Sequence, residues 1–363
     1  MGVACGIVGL PNVGKSTLFN AFTSSRADRA IYPFSTTEAN VAVVSVPDER
    51  LERIHKFVAT DRIVPAAMKV VDIPGLVAGS SKGEGMGNKF LGNIKECDAL
   101  LHVVRCFERP EVIRDGPVDP KGDMEVLELE LAMADLDTVT RNVERVTKKA
   151  RAHDKTAMHE LDIFTHAKAM LEEGELLRTH AWRKDEIDAL RPLFLMTMKP
   201  MLYVANVGEE DVSGAGERAK QVHEHAQAMK SDAITLCGDL ECELVSMDPA
   251  DRASFMGDYG LKELSLPRLI RATYSLLGLQ TFFTAGKIEI RAWTVHKGDT
   301  GPVAASVIHT DFEKGYVRAE IYSVEDLEQF HNEHAIKTHG KMRTEGREYV
   351  MREGDICHFL IAK

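Results

Sequence analysis

The sequence lacks any apolar run that is long enough to cross a bilayer. Its longest runs, residues 99–104 and 201–205, are far shorter than the roughly 20 residues that a spanning helix needs. The first residues carry no charged leader and no cleavage site, and Gly6 stands where a myristoylation signal needs Ser or Thr. These absences predict a protein with no membrane association, and the cytosol is its expected compartment.

Cysteine pairs and an excess of positive charge are also missing. The six cysteines are scattered without a CxxC pair, which is typical of reduced thiols rather than of a disulfide framework or a zinc site. The formal net charge of −11 excludes coating of nucleic acid over the whole surface, because phosphate binding needs clustered Lys and Arg. Any contact with RNA is therefore expected to be local.

The composition that remains is that of a globular protein. The chain has 363 residues, 44% of them hydrophobic and 28% charged, which is enough for two or three domains. Short apolar strands alternate with helical stretches from residue 3 to about residue 113, and the alternation resumes at residue 200. We predict strands at residues 4–8, 68–71, 99–107, 200–205 and 233–236. This pattern indicates an α/β fold with a mainly parallel sheet and helices on both faces.

Between these two halves, apolar residues recur at steps of three and four. They are Leu129, Ala132, Leu136, Val139, Val143, Val146 and Ala150. The spacing is typical of a coiled-coil seam, and a second helical stretch at residues 156–174 can fold back on the first as an antiparallel partner. We predict an inserted helical hairpin; the alternative is two further helices on the sheet.

Beyond about residue 280 the sequence becomes rich in strands. We predict strands at residues 289–295, 315–321 and 356–361, with glycine-bearing turns and two short helical pieces between them. This pattern indicates a small mixed α+β domain. The predicted domains are residues 1–122 and 200–279 for the two parts of the α/β domain, residues 123–199 for the hairpin, and residues 280–363 for the last domain.

The run GLPNVGKST, from Gly9 to Thr17, follows an apolar strand and opens a helix, which is the context that a phosphate-binding P-loop requires. In such a loop the backbone N–H groups and the helix N-terminus concentrate positive potential on the phosphates. Lys15 would reach the β and γ oxygens, and the Ser16 hydroxyl would ligate Mg²⁺. The alternative, a glycine-rich turn with a chance lysine, fits the surrounding strand and helix poorly.

A second motif, DIPG, begins at Asp72 at the end of a predicted strand. Asp72 would lie beside the metal, and the Gly75 N–H would sense a γ-phosphate, as in the switch of a GTPase. Between the two motifs, the run YPFSTT offers Thr36 or Thr37 as a further ligand that closes on Mg²⁺ when a triphosphate is bound.

Leu76 stands where Ras-type enzymes have the glutamine that orients the attacking water. A leucine can neither donate nor accept a hydrogen bond, so slow basal turnover is expected. The following glycine-rich segment, residues 79–87, is typical of a mobile switch.

The motif that reads the base is expected at the end of the next strand, where GTPases have Asn-Lys-x-Asp. This chain has Asn206, Val207, Gly208 and Glu209. The lysine that covers the base is replaced by Val207, and the aspartate that reads guanine is replaced by a longer carboxylate. An Asn amide suits adenine better than an aspartate does, so ATP is favoured over GTP. Asn206→Ala is then expected to weaken the binding of ATP far more than that of triphosphate.

Over essentially its whole length the sequence resembles the Obg-like ATPases of the YchF type. The resemblance rests on GIVGLPNVGKST from Gly6, GEGMGNKFL from Gly83 and HVVRCF from His102. RAWT from Arg291 and IHTDFEKG from Ile308 resemble the TGS domain of that family.

The resemblance implies a nucleotide domain, a helical hairpin and a β-grasp TGS domain, and an ATP hydrolase that associates with the ribosome or its large subunit. The implied nucleotide contacts are Asn12, Val13, Gly14, Lys15, Ser16, Thr17, Phe107, Asn206, Val207 and Glu209, with Phe107 stacking on the base. Ser16, Thr36 and Asp72 would hold Mg²⁺. The partners are ATP and the ribosome, and a monomer is expected.

One departure from the family concerns hydrolysis. Family members often have a histidine in the loop after HVVRCF, whereas this loop offers Arg114. Arg114 could stabilise charge in the transition state as an internal arginine finger. Related hydrolases with an apolar residue at the position of Leu76 and an asparagine at that of Asn12 can instead recruit K⁺, although Asn12 could also simply cap its own loop. The catalytic candidates are therefore Lys15, Asn12, Gly75 and Arg114.

Three functions remain open from the sequence. The first is a slow ATPase whose nucleotide state controls its docking on the ribosome. The second is a module that binds RNA or the ribosome and never turns its nucleotide over, and the third is a GTPase of the Obg type. A group of basic residues near the predicted hairpin tip could meet RNA phosphates or could form a solvated helix face: Arg141, Arg145, Lys148, Lys149 and Arg151.

Overall fold

The computed structural model describes residues 3–24, 40–75, 86–109 and 116–362. The strands in these ranges form two sheets of six strands each. No helix in the described ranges is long and apolar enough to cross a membrane.

The first sheet has the order β2-β4-β1-β5-β6-β7. All neighbours are parallel except β2 and β4, which pair antiparallel. Its central strand β5 is buried along its whole length, as expected for a strand covered on both faces. The strands are β1 (Ala4–Val8), β2 (Val41–Ser45), β4 (Ala67–Asp72), β5 (Ala99–Arg105), β6 (Met201–Asn206) and β7 (Asp232–Leu236). The predicted parallel α/β sheet is confirmed.

Helices cover both faces of this sheet. One face packs against α1 and α10, and the other packs against α3, α7, α8 and the first part of a long helix described below. The helices of this part are α1 (Lys15–Ser24), α2 (Arg50–His55), α3 (Met86–Glu96), α7 (Glu217–Ala228), α8 (Gly238–Ser246), α9 (Pro249–Asp258) and α10 (Ser265–Leu276). These two buried layers hold the strands in position, and the carboxyl ends of the strands lie at the candidate site described below.

A helical hairpin is inserted between β5 and β6, as predicted. It consists of α4 (Pro120–Ala150), α5 (Lys155–Glu172) and the short α6 (Lys184–Leu190). The Asp119 side chain caps α4 by accepting from the Gly122 N–H at 3.1 Å, and Pro120 occupies the first turn, where its missing N–H costs nothing.

The predicted seam of the hairpin is correct only in part. Ala132, Val139 and Val146 are buried against α5, but Leu129 is 55% exposed. The first turns of α4 bury Met124 and other residues against the sheet rather than against α5, so the buried face of the helix changes along its length.

The second sheet has the order β11-β10-β12-β8-β9-β3. Its strands are β3 (Ile63–Val64), β8 (Leu279–Ala285), β9 (Ile290–His296), β10 (Tyr316–Tyr322), β11 (Arg343–Glu345) and β12 (Ile356–Ile361), and its helices are α11 (Gly301–Ile308), α12 (Phe312–Gly315), α13 (Val324–Phe330) and α14 (Glu333–Thr338). The sequence predicted two short helical pieces here, whereas the described residues form four. Strand β3, from the first part of the chain, pairs parallel with β9 and extends this sheet.

The two sheets share one apolar core. Ile54 of α2 belongs to the same buried cluster as Phe283 of β8 and Ile356 of β12. Ion pairs reinforce the contact, since the Arg53 guanidinium lies 2.7 Å from the Glu328 carboxylate. The second sheet therefore packs against the domain of the first sheet through a shared core, and is not joined to it by the chain alone.

Candidate nucleotide-binding site

The loop between β1 and α1 has the backbone that its glycines and asparagine allow. Gly9, Asn12 and Gly14 have φ values of 154°, 62° and 96°, a region in which most side chains are strained. A Cβ on Gly14 would lie 2.2 Å from the Asn206 Nδ2 atom, and one on Gly9 would lie 2.5 Å from the Val103 carbonyl oxygen. These two positions therefore need glycine for both conformation and space.

Lys15 begins α1 and is only 8% exposed. Its ammonium donates to the carbonyl oxygens of Gly9 at 3.1 Å and Leu10 at 2.6 Å. Burial lowers the pKa of Lys15 to about 8, against the opposing attraction of the Asp72 carboxylate. The Lys15 charge is thus stabilised by two carbonyl groups of its own loop, and phosphate oxygens could take the place of those carbonyl oxygens.

Asp72 and Gly75 lie beside this lysine. Asp72 ends β4 at the level of Ile7 in the adjacent β1, so it reaches the same edge of the sheet as the loop. Burial raises the pKa of Asp72, and the Lys15 charge opposes that shift. A Cβ on Gly75 would lie 2.9 Å from the Lys15 Nζ atom, so the Gly75 main chain passes close to the Lys15 ammonium.

A cavity of about 470 Å³ opens over this loop, within the size range of small-molecule sites. Its lining brings together residues 12 and 14–17 of the loop, residues 107–109 after β5, residues 206–210 after β6, and Cys237 and Asp239 after β7. Of the described candidate residues, Val13 lies in the core beneath the loop, and Asp72 and Gly75 lie outside this lining.

Asn206 ties the two ends of the cavity together. It is 4% exposed, its Nδ2 donates to the Val13 carbonyl oxygen at 2.9 Å, and its Oδ1 accepts from the Gly238 N–H at 3.0 Å. Both ends of the amide are therefore bonded to main-chain groups. The side chain thus supports the loop between β1 and α1, and it also lines the cavity.

Comparisons with known proteins agree with this arrangement. A family model described as a 50S ribosome-binding GTPase matches residues 4–158, and the YchF-GTPase C-terminal model, described as a protein of unknown function, matches residues 279–362. The "Ribosome-binding ATPase YchF" of Haemophilus ducreyi is 47% identical over 362 residues, which is 99% of each chain. The protein of the same name from Bacillus subtilis is 43% identical over 362 residues, again 99% of each chain.

The chain belongs to the YchF family.

A solved structure supports this assignment. The structure titled "Structure of the Schizosaccharomyces pombe YchF GTPase" has a TM-score of 0.90 and 34% identity, and the match covers 99% of this chain and 98% of that one. The P-loop fold with an inserted hairpin is thereby confirmed. The curated relatives are named ATPases, whereas the solved relative is titled a GTPase.

In this YchF-family protein, Val207 and Glu209 line different parts of the cavity beyond the end of β6. Val207 is 2% exposed and packs in the core below the cavity, while its N–H donates to the Leu236 carbonyl oxygen at 2.9 Å. Glu209 is exposed and begins the short 3-10 turn Glu209–Asp211 at the mouth. Neither residue supplies the stem that a lysine would lay over a base.

Phe107 forms a side wall together with two arginines. The strand β5 ends at Arg105, two residues earlier than predicted, and the chain then turns so that the Arg105 and Arg109 guanidinium carbons lie 4.8 and 5.9 Å from the Phe107 ring centroid. Arg109 also forms a 2.5 Å ion pair with Asp239 at the start of α8. Sequence reasoning missed Arg109 and Asp239, although Arg109 lies only two residues after Phe107.

A buried polar cluster connects the sheet of this YchF-family protein to its hairpin. The Glu128 carboxylate of α4 accepts hydrogen bonds from the Tyr203 hydroxyl and, at 3.0 Å, from the His225 ring, and it lies 3.5 Å from the Arg178 guanidinium. Burial alone would raise the pKa of Glu128, but the bonds from His225 and Tyr203 outweigh it and lower that pKa. His102 of β5 stacks beside Tyr203, with ring centroids 5.4 Å apart. This cluster was not predicted from the sequence, because its members come from five separate segments.

Four predicted residues and most of the predicted switch segment fall outside the described ranges. The residues are Thr36 and Thr37, the alternative further metal ligands, Leu76, which replaces the glutamine, and Arg114, the candidate internal finger; the part of the switch segment is residues 79–85.

Proposed function

We propose that the protein is a Mg²⁺-dependent ATP hydrolase that converts ATP and water to ADP and phosphate and acts as a nucleotide-controlled switch on the ribosome. The carrying observation is the position of Lys15, which lies beside Asp72 and Gly75 at the phosphate end of the cavity. The names of the curated relatives support the activity and the ribosomal partner. A cytoplasmic monomer that binds the large ribosomal subunit is the form in which we expect it to act.

The proposed domains follow the same boundaries as the sequence prediction. Residues 1–122 and 200–279 form the nucleotide domain, residues 123–199 the hairpin, and residues 280–363 a TGS domain. The separate buried cluster of the hairpin supports its treatment as a unit.

ATP is the proposed nucleotide because the base end has lost the guanine-reading groups. Val207 is buried in place of a lysine stem, and Glu209 replaces the aspartate that would accept from guanine. The Asn206 amide retains one further N–H that could donate to an adenine ring nitrogen, since Nδ2 carries two hydrogens and the structure uses one for Val13. Phe107 would cover the face of the base.

Ser16 and Asp72 fit a magnesium ion, and Thr36 is the third proposed ligand. Hydroxyl and carboxylate oxygens are the hard donors that Mg²⁺ prefers. Ser16 is exposed at the cavity, and the raised pKa of the half-buried Asp72 marks a carboxylate that a nearby cation would keep ionised. When bound, Mg²⁺ would neutralise charge on the β and γ phosphate oxygens.

Hydrolysis without the glutamine is proposed to use groups inside the site. Lys15 would stabilise charge on the γ-phosphate, and the Gly75 N–H would contact that phosphate. Asn12, which has a left-handed backbone and lines the cavity, would help to hold K⁺ where an arginine finger lies in other enzymes. Arg114 is the alternative source of that charge.

Phosphate release tests the activity. Purified protein with ATP and Mg²⁺ is expected to release phosphate over many turnovers, and Lys15→Ala is expected to abolish this release. Lys262→Ala, which changes an exposed lysine far from the loop in sequence, is the matched control and should behave as the wild type. Binding of ATP without multiple turnovers would favour the rival function, a module in which the nucleotide is only structural.

The hairpin tip supports a contact with ribosomal RNA. Six basic residues at the tip are exposed and have no ion-pair partner among the described residues: Arg141, Arg145, Lys148, Lys149, Arg151 and Lys155. Only two acidic residues, Glu144 and Asp154, lie between the first and the last of them, in a chain whose net charge is −11. Such a cluster is the electrostatic pattern that binds phosphates.

Ribosome pelleting tests this surface. We expect the wild type to sediment with ribosomes in a manner that depends on ATP, ADP or no nucleotide, and Arg145→Glu with Lys149→Glu to weaken this strongly. The matched control reverses two exposed lysines elsewhere, Lys262→Glu with Lys297→Glu. Equal loss in both pairs would mean that net charge, rather than the tip, decides binding.

A further inference from the structure

A second cavity of about 510 Å³ lies at the opposite end of the first sheet. Strand β6 separates the two cavities, because Met201 at its start lines the second cavity and Asn206 at its end lines the first. A six-residue strand spans roughly 17–20 Å. The second cavity is therefore a separate site, bounded by the sheet, the chain that follows α5 and the turn that follows α7.

Apolar and aromatic groups form much of its lining. Met198, Met201 and Met229 contribute flexible thioethers, which adapt to the shape of an apolar ligand. The Trp182 indole N–H donates to the Leu177 carbonyl oxygen at 2.8 Å, and the His180 ring lies 4.6 Å from the Trp182 ring. The indole is thus held in one orientation and can serve as a stacking platform.

The charged groups of the lining have one sign. Arg178 and Lys230 are the fully charged side chains among the described lining residues, and that part of the lining contains no carboxylate. Lys230 has a left-handed backbone, with φ of 53°, and its ammonium donates to the Thr179 carbonyl oxygen at 2.9 Å. A strained backbone position thus holds a positive charge at this cavity.

Arg178 is the second observation that points to a ligand. Its side chain is 6% exposed, and its polar contacts within the described residues all use Nη2, which donates to the Tyr203 hydroxyl at 2.9 Å and lies 3.5 Å from both the Met201 Sδ atom and the Glu128 carboxylate. Its Nε and Nη1 atoms are buried and have no acceptor among the residues that the structure describes. A buried guanidinium normally satisfies its donors, so two unused nitrogens indicate a missing acceptor.

We propose that this cavity binds a small aromatic anion. The ring would pack against Trp182 and the methionines, and the carboxylate or phosphate would be attracted to Arg178 and Lys230. This arrangement matches known small-molecule sites, which are largely apolar with a few polar groups that orient the ligand. The inference does not depend on the proposed ATPase activity.

The test uses Trp182 as a reporter and 8-anilinonaphthalene-1-sulfonate as the probe. The chain has two tryptophans, so the Trp293→Phe variant leaves Trp182 as the single indole. In this variant the probe is expected to bind at one saturable site, to quench the indole emission and to receive energy from it. N-phenyl-1-naphthylamine, which is similar in shape but uncharged, should bind about tenfold more weakly, because a charge-assisted contact contributes about that factor.

Two substitutions in the Trp293→Phe background locate the probe. Lys230→Gly removes the charge and relieves the left-handed backbone, so it should fold and weaken the probe about tenfold. Ile187→Glu places a carboxylate at the rim, where Ile187 is 38% exposed, and should abolish binding. The matched controls are His153→Gly, which also has a positive φ, and Ile288→Glu, which is 73% exposed elsewhere.

Each outcome of these titrations either supports or overturns the proposed site. About tenfold weaker binding in Lys230→Gly and no binding in Ile187→Glu, with both controls unchanged, support the site. Binding that survives both cavity variants, or that the controls weaken equally, places the probe on another surface and overturns the proposal. Displacement by ATP would place it in the nucleotide cavity, and equal affinity for the neutral analogue would show that no anion is selected; either result also overturns it.

Discussion

Asn206→Ala removes both hydrogen bonds that hold the phosphate loop to the loop after β7. These bonds, at 2.9 and 3.0 Å, leave the Val13 carbonyl oxygen and the Gly238 N–H without partners when the side chain is truncated. Asn206 is 4% exposed, so water reaches the orphaned groups poorly. Each orphaned group costs about 1–3 kcal/mol, and for the two groups we expect the free energy of unfolding without nucleotide to fall by roughly 2–6 kcal/mol.

The same substitution distinguishes two roles for Asn206 in binding. If the amide only read the base, Asn206→Ala would weaken ATP far more than triphosphate, as the sequence predicts. Because the amide also positions Val13 in the loop, we expect tripolyphosphate binding to weaken as well, and ATP binding to weaken further through the lost base contact. Urea unfolding without nucleotide, with calorimetric titration of ATP and of tripolyphosphate in the presence of Mg²⁺, measures the two effects.

Two further variants sharpen this experiment. Asn206→Asp keeps an acceptor for the Gly238 N–H but places a carboxylate against the Val13 carbonyl oxygen, so it should also be destabilised. Asn142→Ala, which loses one 2.8 Å bond to the Thr138 carbonyl oxygen on the hairpin, is the control and should lose no more than about 1 kcal/mol. An Asn206→Ala protein that is as stable as the wild type and binds tripolyphosphate normally would refute the role of Asn206 in holding the phosphate loop to the loop after β7.

Three other predictions follow from the site and the buried cluster. Burial lowers the pKa of His102 to about 3, so below about pH 6.5 the unfolded chain binds a proton that the folded chain does not bind. The free energy of unfolding should therefore fall by about 2 kcal/mol between about pH 7.5 and pH 5. His102→Gln should remove this part of the decrease, as measured by urea unfolding at each pH. ATP should bind at least about tenfold more tightly than GTP in calorimetry, since a good base contact is worth roughly 1–3 kcal/mol, and equal dissociation constants would contradict the proposed base recognition. Single-turnover hydrolysis should be faster in K⁺ than in Na⁺ at equal ionic strength, and a difference that persists in Asn12→Ala would remove Asn12 from the cation site.

The sequence predicted those features that depend on local pattern. The five parallel strands of the first sheet were predicted because each is a short apolar run, and the phosphate loop because its glycines must stand at fixed spacing. The antiparallel edge strand β2 and the strands β8 and β11 were not predicted. The buried side of α4 was wrong at Leu129, because the helix changes its packing partner and its apolar spacing does not record that change. Strand β3 was missed because two residues carry no periodicity.

The features of the site that the sequence could not supply involve contacts between distant segments. The bond from Asn206 to Val13 joins residues 193 positions apart, and an asparagine that supports a main chain looks in sequence like one that reads a base. The pairing of Arg109 with Asp239 spans 130 positions. Such pairs become visible only when the fold places their strands side by side.

The pairing of β3 with β9 has a consequence for synthesis of the chain. Domains generally fold in the order in which they leave the ribosome, N-terminal part first. Here β3 and the apolar side of α2, including Leu51 and Ile54, lie early in the chain, whereas the strand β9 and the residue Ile356 that cover them are made near its end. The nascent protein therefore carries an open sheet edge and bare apolar groups until translation is almost complete. A gene fragment that begins at β8 would have the complementary defect, with β9 as an unpaired edge, and aggregation is the expected fate of such an edge.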